Sequence, residues 1–398
     1  MKNRIIPFIA FALLSLVSCG GGNVEPPASS EKSATSENKD NIQILDPIGG
    51  KSIDLLYAPA RAYLNSKNPA STLASLSSNP GDNTVPLTLR WKVTTSAVER
   101  YTLQIATDEA FEHIERSYSD LRKSVGTMPV YNLIPGTYYY RIKSSSMVSP
   151  VDSFVLEGPV RTINTNNTIK NMRDCGGWKI DDTHRVRYGC LYRSAAWSSA
   201  DNTTDSRFKE LGMKTELDIR YSSGSSDYSK AEHPISGVDY VNLGMGQYDS
   251  IIPQSKKYYA TSHANFKKTF ELLAKKESYP LTFHCTAGAD RTGTLAYLVN
   301  GLLGVSYEDL CKDFELTSIY NSKRWRSNIV DGEFDSSGVM QDDANNYVGF
   351  GALHQAMMEN YKTSDNSLSG AINNYLKTVC GISQTTLNQV KANLTESI

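Results

Sequence analysis

Alternating apolar and polar positions mark the chain between residues 41 and 163. The segments PLTLRWKV, RYTLQIAT and GTYYYRIKSS place an apolar side chain at nearly every second position, and turn-forming stretches such as NPGDN and IPG separate them. A period of two is typical of strands that bury one face, and no long helical period interrupts this region. The pattern therefore predicts an all-β domain over residues 41–163.

The pattern changes after residue 164. LTFHC has the character of a short buried strand, whereas DRTGTLAYLVNGLLGV, HANFKKTFELLAKK and GAINNYLKTV carry apolar residues at helical spacing. Strands that alternate with helices indicate an α/β domain with a central, mostly parallel sheet, which we expect over residues 164–398. Ligands bind at the carboxyl ends of the strands in such sheets, and Cys285 at the end of LTFHC lies at such a position.

The first 19 residues have a pattern of their own. A basic start precedes an apolar stretch over residues 5–17 that is short for a membrane span, and the segment LVSC, ending at Cys19, closes it. This start resembles a bacterial lipoprotein signal, which implies that Cys19 is lipidated and anchors an exported protein to a membrane, in the periplasm or at the cell surface. An ordinary secretory signal, with Cys19 incidental, is the alternative. Residues 20–40, rich in Gly, Ser and Pro, predict a flexible linker.

Composition and charge narrow the classes of function. A chain of 398 residues exceeds what one core usually fills, in agreement with two domains behind a signal. The formal net charge of −1 offers no broad basic field to a nucleic-acid backbone, so we expect no nucleic acid among the partners. The cysteines and histidines show no metal-ligand spacing, so no metal site is predicted.

The segment HCTAGADRTG, residues 284–293, carries the candidate chemistry. Small residues after Cys285 let their backbone N–H groups curl inward as a cup for a tetrahedral anion, and the following helix adds the positive end of its dipole. These N–H groups and Arg291 favour the thiolate of Cys285, which makes it a candidate nucleophile. The predicted phosphate-binding residues are Thr286, Ala287, Gly288, Ala289, Asp290, Arg291 and Thr292.

Three side chains have separate roles in this interpretation. The planar guanidinium of Arg291 matches two phosphoryl oxygens. Thr292 is placed to donate its hydroxyl to the cysteine sulfur when a phospho-enzyme breaks down, and His284 supports the loop by hydrogen bonding. A buried structural cysteine, the plain alternative, would need neither the arginine nor the run of small residues.

A cysteine followed after five residues by Arg-Thr-Gly, behind a strand and a histidine, resembles the phosphate loop of cysteine-dependent protein tyrosine phosphatases. NMRDCGGW at 171–178, VRYGCLYRSA at 186–195, LGMKTELDIR at 211–220 and the later GVSYEDLCKDFELTS resemble segments of the bacterial and fungal tyrosine-phosphatase family. The resemblance covers almost all of residues 164–398. It implies that the chain hydrolyses phosphomonoesters through a phosphocysteine, without a metal or organic cofactor. Members of this family act on phosphotyrosine, on phosphoserine or phosphothreonine, and on phosphoinositides.

One loop position departs from the family. A lysine is common where this chain has Ala289, and such a cation would help to bind polyanionic inositol phosphates. The alanine favours a phosphorylated protein, above all phosphotyrosine, or a small phosphomonoester as the substrate. SKRWRS at 322–327 either compensates for the missing charge or is a solvated basic turn. A phosphoinositide or inositol-polyphosphate phosphatase, a sulfurtransferase and a non-catalytic lipoprotein that binds phosphorylated ligands are the alternatives.

The leaving oxygen of a phosphomonoester needs a proton donor. Asp290, inside the loop beside Arg291, is the leading candidate by resemblance, and Asp218, at the end of the predicted strand TELDI, is the alternative. A structural ion pair with Arg291 is the other interpretation of Asp290. Asp174 in MRDCGG is expected to tie down a turn.

The β domain resembles a fibronectin type III or immunoglobulin-like sandwich. The resemblance lies in Trp91 on an early strand and in NLIPGTYYYRI, which looks like the approach to a tyrosine corner. Such a domain is either a sugar- or protein-binding module or a spacer that positions the α/β domain, and we expect the spacer. Trp91 is accordingly expected in the core rather than on a ligand platform.

Four cysteines remain after Cys19 and Cys285. In an oxidising exported compartment they could form two disulfides, and the alternative is four small buried thiols. Spacing alone does not decide between these states. The possible pairs are Cys175 with Cys190 and Cys311 with Cys380.

Overall fold

The structure is a computed structural model that describes most of the chain beyond residue 40. The described residues are 41–66, 86–97, 99–222, 227–253, 255, 260–320, 329–330, 333–334, 340–342, 346–348 and 350–398. The predicted signal with Cys19, the linker 20–40 and the basic segment 322–327 lie outside them. No helix in these ranges is both long and apolar enough to cross a membrane.

Two sheets around a shared core form the N-terminal domain. Its described strands are β1 (Asn41–Leu45), β2 (Ser52–Asp54), β3 (Leu87–Thr94), β4 (Tyr101–Ala106), β5 (Ile114–Leu121), β6 (Thr127–Val130), β7 (Gly136–Lys143) and β8 (Asp152–Glu157). One sheet has the order β1-β3-β6 and the other β2-β8-β7-β4-β5. Neighbouring strands are antiparallel except for the parallel pair β2 and β8. The alternation of apolar and polar residues thus correctly predicted a domain of paired strands.

Aromatic side chains fill the space between these sheets. Successive residues of β3 alternate between buried and exposed, and Trp91 on its inner face is only 2% exposed. The prediction that Trp91 belongs to the core is therefore confirmed. The hydroxyl of Tyr138 donates to the carbonyl oxygen of Ile134 at 2.7 Å. This bond back to the preceding turn has the geometry of a tyrosine corner.

A short helix from the β domain packs into the second core. This helix, α1 (Ala58–Leu64), follows β2 in the chain, and its Ala60 and Tyr63 are buried among side chains of the C-terminal domain. The boundary predicted near residue 163 therefore does not separate the two cores. A helix of seven residues offers too few periods for a sequence pattern to assign its buried face.

A five-stranded sheet is the centre of the C-terminal domain. The described strands of this domain are β9 (Arg173–Asp174), β10 (His184–Val186), β11 (Leu191–Ser194), β12 (Thr215–Asp218), β13 (Asp239–Asn242), β14 (Leu281–His284), β15 (Ile329–Val330), β16 (Glu333–Phe334), β17 (Met340–Asp342), β18 (Asn346–Val348) and β19 (Thr395–Ser397). The central sheet has the order β13-β12-β14-β11-β9. Only the edge strand β9 runs antiparallel to its neighbour. The predicted α/β domain with a mostly parallel sheet is confirmed.

Helices cover this sheet. Those described are α2 (Asn202–Glu210), α3 (Ala260–Leu273), α4 (Asp290–Leu303), α5 (Tyr307–Tyr320), α6 (Phe350–Tyr361), α7 (Leu368–Thr378) and α8 (Gln384–Leu394), with single 3-10 turns at Tyr248–Ser250 and Lys276–Ser278. Every residue of α4 from Thr292 to Leu303 is buried, because α4 packs against the sheet and against α5 and α7. The three helices predicted from apolar spacing are α4, α3 and α7. A buried α4 holds the loop before it in a fixed position.

Candidate active site

The cysteine loop, residues 285–291, lies at the centre of the sheet. Strand β14 runs between β12 and β11 and ends at His284, so Cys285 follows at the carboxyl edge. Helix α4 begins at Asp290 and points its first N–H groups back toward the cysteine. Cys285 itself is only 3% exposed. The strand and the helix together bring a thiol and the N–H groups of a helix N-terminus to one point.

The loop changes the acidity of the thiol. Burial opposes ionisation, but the Thr292 hydroxyl, the charge of Arg291 and the backbone N–H groups of Thr292 and Ala289 outweigh it, so the pKa of Cys285 lies below its usual value. The Thr292 hydroxyl is buried and has no other hydrogen-bond partner in the described part of the chain. Cys285 is therefore ionised at a lower pH than an ordinary cysteine.

Gly288 shows why the loop contains small residues. Its φ of +65° lies in the left-handed region that glycine adopts without strain. A Cβ at this position would lie 2.4 Å from the carbonyl oxygen of Ser194, far inside van der Waals contact. The loop therefore passes so close to the end of β11 that a larger residue at position 288 would displace it.

Arg291 and Thr286 form the open side of the loop. A terminal nitrogen of Arg291 donates to the Thr286 hydroxyl at 3.3 Å. Thr286 and Ala287 also border a polar cleft of about 310 Å³. Among the described residues, Lys170, which is exposed, is the only charged side chain lining this cleft. A phosphoryl group held by the loop would thus have one lysine within the adjoining cleft.

Asp290 is half-buried in the first turn of α4. The hydroxyl of Tyr248 donates to its Oδ1 at 2.9 Å. Tyr248 is itself buried and packs edge-on against Phe314, with ring centroids 6.0 Å apart. Sequence reasoning gave Tyr248 no role, since it lies 42 residues before its partner. A rigid tyrosine therefore holds this carboxylate next to the cysteine loop.

Asp218 has a different environment. It ends β12 and lies opposite His284 in the strand register, but its carboxylate is completely buried. Arg220 forms an ion pair with it at 2.7 Å, and the Tyr240 hydroxyl donates to it at 3.1 Å. A general acid must reach the leaving group. The structure thus places Asp290 at the loop and Asp218 in a buried ion pair beneath the sheet edge.

His284 is fixed below the loop. Its Nε2 lies 3.0 Å from Glu216 Oε1, and its Nδ1 lies 3.3 Å from the carbonyl oxygen of Cys285. Burial raises the pKa of Glu216, and the interaction with His284 opposes this rise. Trp197 stacks on the imidazole with ring centroids 5.6 Å apart. These contacts hold the end of β14, and with it the start of the loop.

A buried ion cluster lies behind the loop. On α5, Asp313 accepts hydrogen bonds from Arg173 at 2.8 Å and from Arg193 at 2.5 Å. Arg193 also donates to the carbonyl oxygen of Gly288 at 3.1 Å, and the amide of Asn171 donates to the same oxygen at 2.8 Å. We call Asn171, Arg173, Arg193 and Asp313 the loop clamp. It joins an edge strand, a central strand and a helix to the tightest residue of the loop.

No role was predicted for the loop clamp, although the motifs that contain it were recognised. The available signal was a charged residue inside an otherwise apolar segment, as with Arg193 in CLYRSA. Such a charge is almost never buried without a partner. The partner, Asp313, lies 120 residues away, so the sequence indicates that pairing is needed but not with which residue.

Asp174 has a structural role. Asp174 ties down a turn as expected, since its two oxygens accept the N–H groups of Gly176 and Gly189, each at 2.8 Å. Among the described residues, no group of His, Cys, Asp and Glu side chains is arranged to hold a metal.

The described cysteines outside the loop are free thiols. Cys175, Cys190, Cys311 and Cys380 form no disulfide, so the two pairings considered from the sequence are wrong. Burial raises the pKa of all four, to about 11 for Cys190 and about 12 for Cys311 and Cys380. Cys285 is therefore the described cysteine that forms a thiolate most readily.

Substitution of Asp313 tests the loop clamp. Asp313→Asn leaves two buried guanidinium groups without a counter-charge, so we expect the free energy of unfolding to fall by about 3 kcal/mol and the activity of the site to fall with it. Chemical denaturation measures the change. The matched control is Glu308→Gln on the same helix, whose side chain is 80% exposed and which should cost less than about 0.5 kcal/mol.

The same variant has a signature in acid. Burial opposes ionisation of Asp313, but Arg173 and Arg193 hold its pKa below the usual value in the folded chain. The unfolded chain therefore takes up the proton first as the pH falls, and this stabilisation is lost between the unfolded and the folded pKa. The unsubstituted chain should lose stability through this range more steeply than Asp313→Asn. Parallel curves would contradict the role of Asp313 in the clamp.

Alkylation by iodoacetamide should distinguish Cys285 from the other described cysteines. In a chain that begins at Gly20, mildly acidic conditions should modify Cys285 first, because its pKa is lowered and the others are raised. Thr292→Val keeps the shape of the side chain but removes the hydroxyl, so the midpoint of the reaction with pH should move upward. Peptide mass spectrometry follows the modification. Thr378→Val, on the exposed end of α7, is the control, and a midpoint shared by both variants would argue against the hydroxyl.

Comparison with known proteins agrees with this geometry. The model of the tyrosine phosphatase family matches residues 165–396. A protein of Cupriavidus necator named as a tyrosine-protein phosphatase is 28% identical over 166 residues, which are 37% of this chain and 60% of that protein. A tyrosine-protein phosphatase of Nostoc commune is 24% identical over 199 residues, 46% of this chain and 67% of that protein.

The chain thus spans about three fifths of the length of the Cupriavidus protein. Among solved structures, Pseudomonas aeruginosa TpbA in complex with pTyr overlaps 40% of this chain and 79% of that chain, at 13% identity and a TM-score of 0.26. The family model covers more than half of the chain and includes the whole cysteine loop. This chain belongs to the tyrosine phosphatase family.

Proposed function

We propose that this chain hydrolyses phosphomonoesters through a phosphocysteine on Cys285, with phosphotyrosine in proteins as the preferred substrate. The lowered pKa of Cys285 within a loop of N–H donors is the observation that carries this proposal. A thiolate in such a loop meets a phosphoryl group as both nucleophile and anchor. A binding protein without catalysis would have no use for an ionised sulfur, and Arg291 followed by Thr-Gly disfavours a sulfurtransferase.

The chemistry follows from the positions of four side chains. The Cys285 sulfur attacks phosphorus while the bond to the leaving oxygen breaks, and Asp290 gives that oxygen its proton. Arg291 and the loop N–H groups bind the phosphoryl oxygens throughout. Water then attacks phosphorus, its proton passes to Asp290, and the sulfur leaves as a thiolate that the Thr292 hydroxyl stabilises.

Charge at the rim of the loop supports the choice of substrate. Ala289 is completely buried and brings no cation, and of the described side chains Lys170 alone supplies charge to the cleft beside the loop. One lysine suits a singly phosphorylated side chain better than an inositol polyphosphate. Inositol lipids and inositol polyphosphates on the same loop are the second candidate substrates, and the basic segment 322–327, outside the described residues, would serve them.

The N-terminal parts of the proposal concern location. We infer that residues 1–19 are a lipoprotein signal, that Cys19 carries the lipid anchor, and that the chain is exported to the periplasm or the cell surface. We further infer that residues 41–163 form a fibronectin type III-like spacer. The strand order of the two sheets and the bond from Tyr138 to Ile134 support this assignment.

Turnover of a phosphotyrosine peptide tests the proposed nucleophile. A chain that begins at Gly20 should release phosphate in the presence of a chelator, and Cys285→Ser should abolish release because a hydroxyl ionises too weakly to attack. The variant should still bind the peptide, since the N–H groups and Arg291 remain. Appreciable turnover by Cys285→Ser would place the nucleophile elsewhere, and specificity constants tenfold higher for phosphoinositides would reverse the substrate order.

The leaving group distinguishes the two candidate acids. A general acid contributes typically about a hundred- to ten-thousand-fold, and less when the leaving group is already good. Asp290→Asn should therefore impair hydrolysis of a phosphotyrosine peptide while largely sparing a nitrophenyl phosphate, and the fall in rate at basic pH should flatten. Asp218→Asn disrupts a buried ion pair with Arg220, so it should weaken both reactions alike through lost stability. The opposite pattern would make Asp218 the acid.

A further inference from the structure

A cluster of basic side chains lies at one end of the β domain. We call it the basic end and define it by Lys92, Arg100, Arg122 and Lys123. All four residues are exposed. Lys92 lies near the end of β3, and Arg100 lies in the turn that follows it. Arg122 and Lys123 lie in the turn between β5 and β6. The whole chain carries a net charge of −1, so this concentration is local.

The basic end surrounds a cleft of about 700 Å³. Glu99 is the only acidic side chain in its lining within the described ranges, and Arg100 is held loosely by Asp120 at 3.5 Å. Lys123 donates to the carbonyl oxygen of Thr95. Lys92 and Arg122 have no ion pair or side-chain hydrogen bond in the described part of the chain. Two exposed cations thus lack an anionic partner beside a cleft that is rich in positive charge.

The strand order places this cluster where the chain enters the domain. Asn41, the first residue of β1, lies opposite Thr94 at the end of β3. The last residues of β8 pair with the first residues of β7, at the other end of the sheet. The C-terminal domain follows β8 in the chain and therefore begins at that end. Strands of eight residues separate the two ends by about 27 Å. The basic end and the catalytic domain therefore lie at opposite ends of the sandwich.

The chain before Asn41 connects this end of the domain to the proposed anchor. Residues 20–40 connect it to Cys19, and the flexible linker that their composition predicts would have a typical end-to-end distance of about 25 Å. If Cys19 carries a lipid, the chain joins this anchor to the domain at the end where β1 starts, which is the basic end. A basic patch beside a lipid anchor adds electrostatic attraction to anionic lipids.

We propose that the basic end binds the headgroups of anionic lipids and so holds the sandwich upright on the membrane, with the catalytic domain directed away from it. Each basic residue close to an anionic surface strengthens binding about fivefold. The proposal takes the membrane from the proposed lipid anchor and does not depend on the catalytic proposal. A soluble acidic polymer, the other polyanion that could fill the cleft, is an outcome of the test.

Vesicle binding of a chain that begins at Gly20 tests the proposal, because this chain keeps every described residue and lacks the anchor. It should sediment with vesicles of equal parts phosphatidylglycerol and phosphatidylcholine, should bind phosphatidylcholine alone much more weakly, and should be released by added salt. Lys92→Gln with Arg122→Gln should weaken binding roughly twentyfold, at about fivefold per charge. Activity toward nitrophenyl phosphate should be unchanged.

The matched control removes two exposed lysines from the C-terminal domain. Lys209→Gln with Lys214→Gln lowers the net charge equally and should change vesicle binding by less than about twofold, since neither residue lies at the basic end. Equal weakening by both double variants would overturn the proposal in favour of general charge attraction. Failure of the unsubstituted chain to bind the anionic vesicles also overturns it, and binding to an acidic polysaccharide instead would assign the cleft to a soluble polymer.

Discussion

The hydrogen bonds that meet at the carbonyl oxygen of Gly288 are the constraint on which the site depends. Arg193 and Asn171 both donate to this oxygen, and Asp313 fixes Arg193 from behind. The backbone at Gly288 can reach these donors only because its positive φ and missing side chain let it pass the end of β11. A buried ion pair is weak evidence for stability by itself. This ion pair matters because of where it lies: it holds the loop whose N–H groups must point at the Cys285 sulfur.

The reactive thiol results from a balance of opposing effects. Burial alone would keep Cys285 protonated, as it does for the four other described cysteines. The loop reverses this outcome with Arg291, the Thr292 hydroxyl and the N–H groups of the first turn of α4. These donors are effective because α4 is buried along almost its entire length and cannot shift. The rigid packing of α4 therefore helps to lower the pKa of the Cys285 thiol at its N-terminus.

The two domains share more than a linker. Helix α1 contributes Ala60 and Tyr63 to the second core, and Arg161 forms a buried ion pair with Asp174 at 2.8 Å while also donating to the carbonyl oxygen of Asn132 in the β domain. Asp174 in turn holds the glycines of the turn beside the sheet. A β domain attached through these buried contacts shares its orientation with the C-terminal domain. The position of one end of the β domain therefore affects the direction in which the cysteine loop faces.

The sequence by itself determined the features that depend on local pattern. Period-two alternation located the β domain, helical spacing located α3, α4 and α7, and the segment from His284 to Gly293 identified the thiol, its arginine and its small neighbours. These are predictable because each is set by residues adjacent in the chain. The same local evidence left Asp290 and Asp218 as rival acids, and it left the state of the remaining cysteines open.

Only the tertiary structure decided what depends on distant partners. It buried Asp218 against Arg220, left the four other described cysteines unpaired, placed α1 in the second core, and brought Asp313 to Arg173 and Arg193 across more than a hundred residues. A charged residue in an apolar segment requires a partner, but many carboxylates in the chain satisfy that requirement equally well. Packing of α5 against the sheet selects one of them, because buried space admits only the side chain whose charge and geometry are both satisfied there.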